Sequence, residues 1–530
     1  MIYFVITLIF YILYLWARMR KALHMLQQNS YETGHYFKWM YKNAVSVFLT
    51  FDVFIFLPIA FAFWQSKIIY ILIGLVYLIL FVKTTSIQKK EQVKKPLNYT
   101  SRIKRLVVTF LIITGLILTF IILNFAENDI IIYYLILGLY GYLIYFIIML
   151  CNIINYPIEK IVYFYYLNKS DKKLKSMPNL KVIGVTGSYG KTSTKNILAT
   201  ILSEKYRVLA SPKSYNTPYG LMRTVNENID KFDQIFIAEI GAVKLGDLNS
   251  RCRVVHPQYG IITKIGVAHL ETFKTIENIT KTKFHLIDCL PKDGVGVLNK
   301  DDEIQKEYYK NGNKKVLWIG IKESDVDVRA SNIDVTYEGM NFDVTFKGDK
   351  EKYEFKTQLL GEANVYNILS SLALAKELGV NVKQMQAGVK KLRSVEHRLE
   401  LKQSGDITII DDAFNSNPVG SKMALDVLSR MPGKRIIVTP GMIELGEEEE
   451  EYNKEFGRYM KGKADAVILV GEKQTKPIYN GLKETGFKKE NIYVLNDLKK
   501  AFNLIQALKD KKTYVLLEND LPDIFNERDK

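Results

Sequence analysis

The sequence predicts an α/β protein carried behind an N-terminal bundle of transmembrane helices. Three observations carry that expectation. Five apolar runs precede residue 155, and from Leu180 onward short β-rich runs alternate with amphipathic helices. One compact strand also leads straight into a glycine-bearing loop that ends in Lys-Thr. The expected organisation is a transmembrane domain of about five helices at residues 1–155, a central P-loop α/β domain with a parallel sheet at 156–396, and a C-terminal α/β domain at 397–530.

The apolar runs fall near residues 2–16, 47–64, 68–82, 106–125 and 130–154. A helix needs about 20 apolar residues to cross the hydrocarbon core; most runs approach that, while the first and third are short. The first run has no basic region before it and no small-residue cleavage site after it, so it reads as a retained anchor. Asp52 and Pro58 lie inside the second run. Asp52 reads either as a functional carboxylate or as one that reaches the headgroups.

The loops set the orientation. Arg18, Arg20, Lys21, Lys38 and Lys42 follow the first run, and Lys83, Lys89, Lys90, Lys94, Lys95, Arg102, Lys104 and Arg105 follow the third. The loop before the last run is acidic, with Glu127 and Asp129. Basic loops inside and the acidic loop outside predict a multi-pass plasma-membrane protein. Its N-terminus is outside and everything after Pro157 is cytoplasmic. Topology and anionic lipid thus account for much of the +17 net charge, leaving no reason to invoke nucleic acid. Cys151, Cys252 and Cys289 match no metal or redox spacing and read as reduced thiols.

The strand Lys181-Val182-Ile183-Gly184-Val185 runs into Thr186-Gly187-Ser188-Tyr189-Gly190-Lys191-Thr192-Ser193-Thr194 and a helical stretch. Strand, glycine loop, Lys-Thr and helix is the arrangement that wraps backbone N–H groups around phosphate at a helix N-terminus. Residues 186–193 are therefore expected to hold nucleotide phosphates, with Lys191 reaching the terminal ones and Thr192 holding Mg2+. The strict G-x-x-x-x-G-K-[ST] pattern fails, because position 185 is valine.

This loop resembles that of the Mur ligase family, the ATP-dependent amino-acid ligases of cell-wall peptide synthesis and their folylpolyglutamate relatives. Further stretches resemble the family in order: Ser214-Tyr215-Asn216-Thr217-Pro218-Tyr219-Gly220, Glu239-Ile240-Gly241, Ala268-His269-Leu270-Glu271 and Thr280-Lys281-Thr282-Lys283. Ile410-Asp411-Asp412-Ala413-Phe414-Asn415-Ser416-Asn417-Pro418 and Gly441-Met442-Ile443-Glu444-Leu445-Gly446-Glu447 resemble its D-alanyl-D-alanine-adding, MurF-type branch.

The resemblance implies a C-terminal Rossmann-like domain that closes over ATP. It implies a reaction in which ATP turns a carboxylate into an acyl phosphate and an amine displaces phosphate. Fixed positive charge suits that chemistry, because two anions must meet. Lys191, His269, Lys283 and Arg398 are the implied catalytic residues. Thr192 and Glu239 are implied for a first Mg2+, and His269 with a carbamylated Lys283 for a second. Asn299 is implied at adenine, Asp412 at the ribose, and Arg398 at the phosphates. The competing reading of Lys283 is one more lysine on a solvated face.

Three departures stand out. About thirty residues separate the last apolar run from the loop strand, which leaves no room for a UDP-sugar domain. The family's G-x-H-N reads Gly361-Glu362-Ala363-Asn364. Its terminal Lys-Gly-Ser-Arg is replaced by Leu516-Leu517-Glu518-Asn519-Asp520-Leu521-Pro522-Asp523. The expected partners are therefore membrane lipid, ATP, a carboxylate acceptor (UDP-sugar peptide or lipid-linked) and an amino acid or dipeptide gripped in its own way. A ligase making another amide polymer such as polyglutamate, and a membrane-tethered ATP-binding scaffold, are the alternatives. Residues 326–359 alternate in polarity and predict antiparallel hairpins inserted in the central domain.

Overall fold

A computed structural model describes residues 2–61, 67–90, 96–125, 129–212, 215–414, 416–443 and 445–520. Lys94, Lys95, Glu127, Ser214, Asn415, Glu444, Leu521, Pro522 and Asp523 lie outside the described residues, as does the side chain of Glu271. The chain forms two compact units, residues 1–164 and 165–530.

The first unit is helical. Among the described residues four helices are long and apolar enough to cross a membrane: Tyr3–Gln28, Ile69–Lys89, Ser101–Phe125 and Ile144–Lys175. Among its described residues the second apolar run gives no long helix. It breaks into Ala44–Phe48, a tight turn at Phe51–Phe56 and Leu57–Phe61. Thr50 caps that turn, its hydroxyl accepting from the Asp52 N–H, and Pro58 sits in the short helix that follows. The last run is divided at Leu143, and its second part continues through Pro157 to Lys175.

Asp52 does not reach for the surface. It pairs with Arg18, which is 2% exposed, and accepts from Tyr14 Oη at 2.8 Å and Thr50 Oγ1 at 2.7 Å. Arg18 also donates to the carbonyl of Tyr142 at 3.3 Å and lies over the Tyr145 ring. A buried ion pair is worth little against an apolar substitute, but losing one partner strands the other charge.

The second unit holds two sheets. The first has nine strands: β1 (Lys181–Thr186), β2 (Val208–Ala210), β3 (Ile235–Glu239), β4 (Tyr259–Ile262), β5 (Val295–Asn299), β6 (Lys315–Gly320), β7 (Val328–Val335), β8 (Met340–Phe346) and β9 (Tyr353–Thr357). Their order is β2-β3-β1-β4-β5-β6-β7-β8-β9. Pairing is parallel as far as β7, and the β7–β8 and β8–β9 pairs are antiparallel, as expected for the hairpins. The hairpins extend the edge of the parallel sheet. Residues 182–186 of β1 are all buried, as a central parallel strand requires.

The second sheet contains β10 (Glu400–Ser404), β11 (Ile407–Asp412), β12 (Lys434–Thr439), β13 (Ala466–Val470), β14 (Ile492–Leu495) and β15 (Thr513–Glu518). Its order is β10-β11-β15-β12-β13-β14, parallel except for β10–β11. That is the Rossmann-like arrangement anticipated. In open parallel sheets ligands bind beyond the carboxyl ends of the strands.

Asp52→Ala is expected to destabilise the helical unit by about 3–5 kcal/mol, because Arg18 is left buried without its counter-ion. Thermal unfolding of the full-length protein in detergent checks this. The double variant Arg18→Met, Asp52→Leu should recover most of the loss.

Candidate active site

The site begins with a backbone path open only to glycine. Gly187 has φ +149° and Gly190 +81°. A Cβ on Gly187 would collide with Thr263 Oγ1, and one on Gly190 would meet Asn367 Oδ1 at 2.8 Å. The loop is pinned to the chain beyond β4. The Ser188 N–H donates to the carbonyl of Lys264 at 2.9 Å, Ser188 Oγ donates to Gly266 O at 2.8 Å, and Tyr189 Oη donates to Val267 O. Thr186 Oγ1 donates to Ile240 O at 2.8 Å.

Lys191 opens the helix Lys191–Leu202, directly after the loop. Its Nζ donates to Gly187 O at 2.9 Å and Ser188 O at 3.0 Å. Burial lowers the ammonium to a pKa of about 8; Glu239 opposes that shift and Arg398 adds to it. Thr192 is buried on the first turn.

Glu239 ends β3 in register with Val185, one residue before the loop. It is 2% exposed. Oε1 accepts from Asn216 Nδ2 at 3.2 Å. Oε2 lies 3.3 Å from Lys195 Nζ and accepts no hydrogen bond. A buried carboxylate at the end of β3 and a buried threonine on the first turn of the helix are the oxygen ligands that a hard cation such as Mg2+ takes.

Lys195 was not anticipated. It lies four residues after Lys191, one helical turn on, and that spacing was the available signal. It is buried, donates to Ser211 O at 2.8 Å, and is held below its ordinary pKa by burial, against the pull of Glu239.

Lys283 is 3% exposed, which excludes the solvated-face reading. Its Nζ donates to Ala242 O at 3.3 Å. Burial, Lys191 and Arg251 drive its pKa well below the ordinary lysine value, with Asp247 opposing. His269 takes a left-handed backbone, φ +53°, at the start of Leu270–Phe273, two residues beyond the loop-bound Val267.

A cavity of about 710 Å³ opens beside the loop. Its walls include Tyr189, Gly190, Ser193, Asn299, Arg398 and Asp412. Six of the anticipated residues therefore meet there. Lys191, Thr192, Glu239, His269 and Lys283 are not among its described walls. Lys191 links the two groups electrostatically, since its charge is felt by Lys283 and it feels both Glu239 and Arg398. Arg398 lies over the Phe414 ring, in the turn before β10, where His397 and Leu399 adopt positive φ. Asn299 ends β5, and its Oδ1 accepts from the Asp301 N–H at 3.0 Å. Asp412 ends β11 and accepts from the Leu399 N–H at 3.1 Å.

A parallel sheet ending in a phosphate loop, with a Rossmann-like sheet contributing to the same cavity, defines a two-domain nucleotide-dependent class of protein. Residues 185–375 match the Mur ligase middle domain and residues 397–518 the Mur ligase glutamate ligase domain. The chain belongs to the Mur ligase family.

Similar curated proteins are the UDP-N-acetylmuramoyl-tripeptide–D-alanyl-D-alanine ligases of Escherichia coli and Bacillus subtilis. The first is 29% identical over 295 residues, 55% of this chain and 65% of that protein. The second is 30% identical over 334 residues, 62% of this chain and 70% of that protein. The chain thus spans about two thirds of their length. Among solved structures, MurF from Thermotoga maritima in complex with ADP superposes with a TM-score of 0.61 at 25% identity, covering 68% of this chain and 80% of that one. MurF from Acinetobacter baumannii gives 0.62 at 24% identity, covering 68% and 77%, and supports the fold.

Gly187→Ala is expected to lower nucleotide affinity by about a hundredfold or more, since the loop cannot keep its path with a Cβ against Thr263. Equilibrium binding of Mg-ADP checks it. The wild-type protein should bind Mg-ADP more weakly as pH rises through about 8, because Lys191 is then uncharged in the free protein. Each further pH unit should cost up to about tenfold.

Proposed function

We propose that this chain is a membrane-anchored, ATP-dependent carboxylate–amine ligase of MurF-like type, acting in peptidoglycan peptide synthesis. The observation that carries the reading is Glu239, a buried carboxylate set in register with the strand that enters the phosphate loop.

ATP enters with its phosphates on residues 186–193, where the N–H groups at the start of the helix are available as donors. Lys191 exchanges the carbonyls of Gly187 and Ser188 for the terminal phosphates. Thr192 and Glu239 would hold Mg2+, which would supply charge neutralisation at those phosphates. Arg398 brings a guanidinium fork to the same anions. Lys195 holds Glu239 in place from the other side. Asn299 serves the adenine and Asp412 the ribose. The acceptor carboxylate takes the terminal phosphoryl group as an acyl phosphate with loss of ADP, and the amine then displaces phosphate with loss of a proton.

Lys283 suits carbamylation. A buried, uncharged amine is the form that adds CO2, giving a carbamate and a proton. The product sets an anion near Lys191 and Arg251, where an ammonium is disfavoured. With His269 it would hold a second Mg2+.

The helical unit anchors the chain in the plasma membrane, with the catalytic unit on the cytoplasmic side of the basic loops. Four crossings would put the N-terminus on that same side; an outside N-terminus requires the broken segment at residues 44–61 to cross as well. The acceptor is a UDP-muramoyl peptide or its lipid-linked form, and the donor is D-alanyl-D-alanine or another short amine.

Full-length protein in detergent should release phosphate only when ATP, UDP-N-acetylmuramoyl tripeptide and D-alanyl-D-alanine are all present. Phosphate release that ignores acceptor and donor would sink the ligase reading. Turnover with glutamate instead of the dipeptide would move the chain to polyglutamate-type chemistry.

A further inference from the structure

One buried group in the cavity has no part in the phosphate loop or its metal face. β11 and β15 run parallel with Asp412 beside Glu518 in register, so the two side chains leave the same face of the sheet. Both line the cavity. Glu518 is fully buried. Ser416 Oγ donates to its Oε1, whereas Oε2, equally buried, accepts from nothing. Asp412 Oδ1 accepts from the Leu399 N–H. The register sets the two carboxyls side by side, where each acts on the other's charge. Two ionised carboxylates present only lone pairs, so a hydrogen bond between them requires a proton. Oε2 of Glu518, buried and unpartnered, is the oxygen left to carry it.

We propose that Glu518 is a positioning residue of the nucleotide site. Protonated on Oε2, it donates to Asp412 and so keeps Asp412 an ionised acceptor for the hydroxyl groups of a nucleotide ribose. The inference rests on the ligase reading only in taking ATP as the ligand of this cavity.

The strand ends in acids where the resembled family has Lys-Gly-Ser-Arg, and adjacent buried carboxylates repel strongly. The shared proton removes one of the two charges. It also preserves a hydrogen-bond donor at the strand end, which an ionised glutamate would not offer.

The surroundings decide which carboxyl keeps the proton. Burial and the neighbouring Asp412 push Glu518 well above the ordinary carboxyl range. Burial pushes Asp412 up to about 7; the Leu399 N–H, Arg398 and the bond from Glu518 pull it down, and Asp411 pushes it up. Asp411 is itself engaged, accepting from Lys402 Nζ at 2.6 Å and lying 2.8 Å from His397 Nδ1. Asp412 is therefore an ionised acceptor above about pH 7 and loses that role as pH falls through it. Nucleotide affinity should fall on the acid side for this reason, separately from the alkaline loss due to Lys191.

Binding of Mg-ADP to the full-length protein, measured calorimetrically from about pH 6 to about pH 8, tests this. Glu518→Gln should bind within about twofold of wild type with the same acid limb, because the amide supplies the same donor. Glu518→Leu should bind about tenfold more weakly near neutrality, its acid limb moved to higher pH, because Asp412 then protonates more readily. Asp412→Asn should lose the acid limb.

Wild-type affinity in Glu518→Leu would overturn the proposal, as would a loss in Glu518→Gln equal to that in Glu518→Leu. Should Glu518→Leu fail to fold, the Gln and Asp412→Asn variants still decide, since an absent acid limb in wild type or a retained one in Asp412→Asn is equally fatal. Absence of any Mg-ADP binding by the wild-type protein removes the ligase reading and this inference together. Unchanged binding in the Leu variant removes this inference alone.

Discussion

Charge held away from water is the constraint on which the catalytic unit depends. Around the phosphate loop Lys191, Lys195 and Lys283 are buried or desolvated, Arg398 adds its field, and the buried Glu239 acts on Lys191, Lys195 and Arg398. Their ammonium groups are held below the ordinary lysine value, mainly by burial. Such a site is electrostatically incomplete, since buried cations of like sign are costly until anions arrive. A triphosphate supplies those anions. Binding energy of this kind is largest where water is already excluded, which is also where transition-state charge is best stabilised.

The fold makes that concentration of charge tolerable by fixing it to rigid elements. β1 and β3 lie side by side, so Glu239 is set by sheet register and not by a loop. Lys191 and Lys195 share a helix whose apolar side, through Ile197, Leu198, Ile201 and Leu202, is packed into the main core of the unit. The loop between strand and helix is tied by Ser188 and Tyr189 to the chain beyond β4. Each charge is thus placed by a separate hydrophobic or hydrogen-bonded support. Flexible side chains would otherwise collapse onto one another and pair.

What the sequence reveals follows how local each feature is. The phosphate loop is legible because strand, glycines, Lys191 and Thr192 are contiguous. The hairpins after β6 are legible from alternation. Lys195 is hidden in the sequence because helix entry and function coincide there. The Asp412–Glu518 pair is invisible in one dimension, since only the β11–β15 register brings residues so far apart in the chain into contact. The second apolar run shows the opposite failure. Its composition promises a span, but Thr50 and Asp52 fold it into a capped turn, and Asp52 pairs with Arg18 from the first helix. Hydropathy averages over exactly the polar residues that decide such a break.

The two units resolve buried charge in opposite ways, and the contrast is informative. In the helical unit Arg18 and Asp52 cancel, and further donors from Tyr14 and Thr50 complete the carboxylate. In the catalytic unit one group has surplus cations and the other, at Asp412 and Glu518, has surplus acid. They stay apart although Arg398 feels both Asp412 and Glu239. Direct neutralisation between them would close the cavity and cost the site its affinity for anions. Acids kept partly neutral by a proton, as proposed, and not by the available guanidinium would leave Arg398 free to face phosphate. Separation of the loop's cations from the acids of the cavity wall is therefore the feature that distinguishes a binding site here from a structural ion pair.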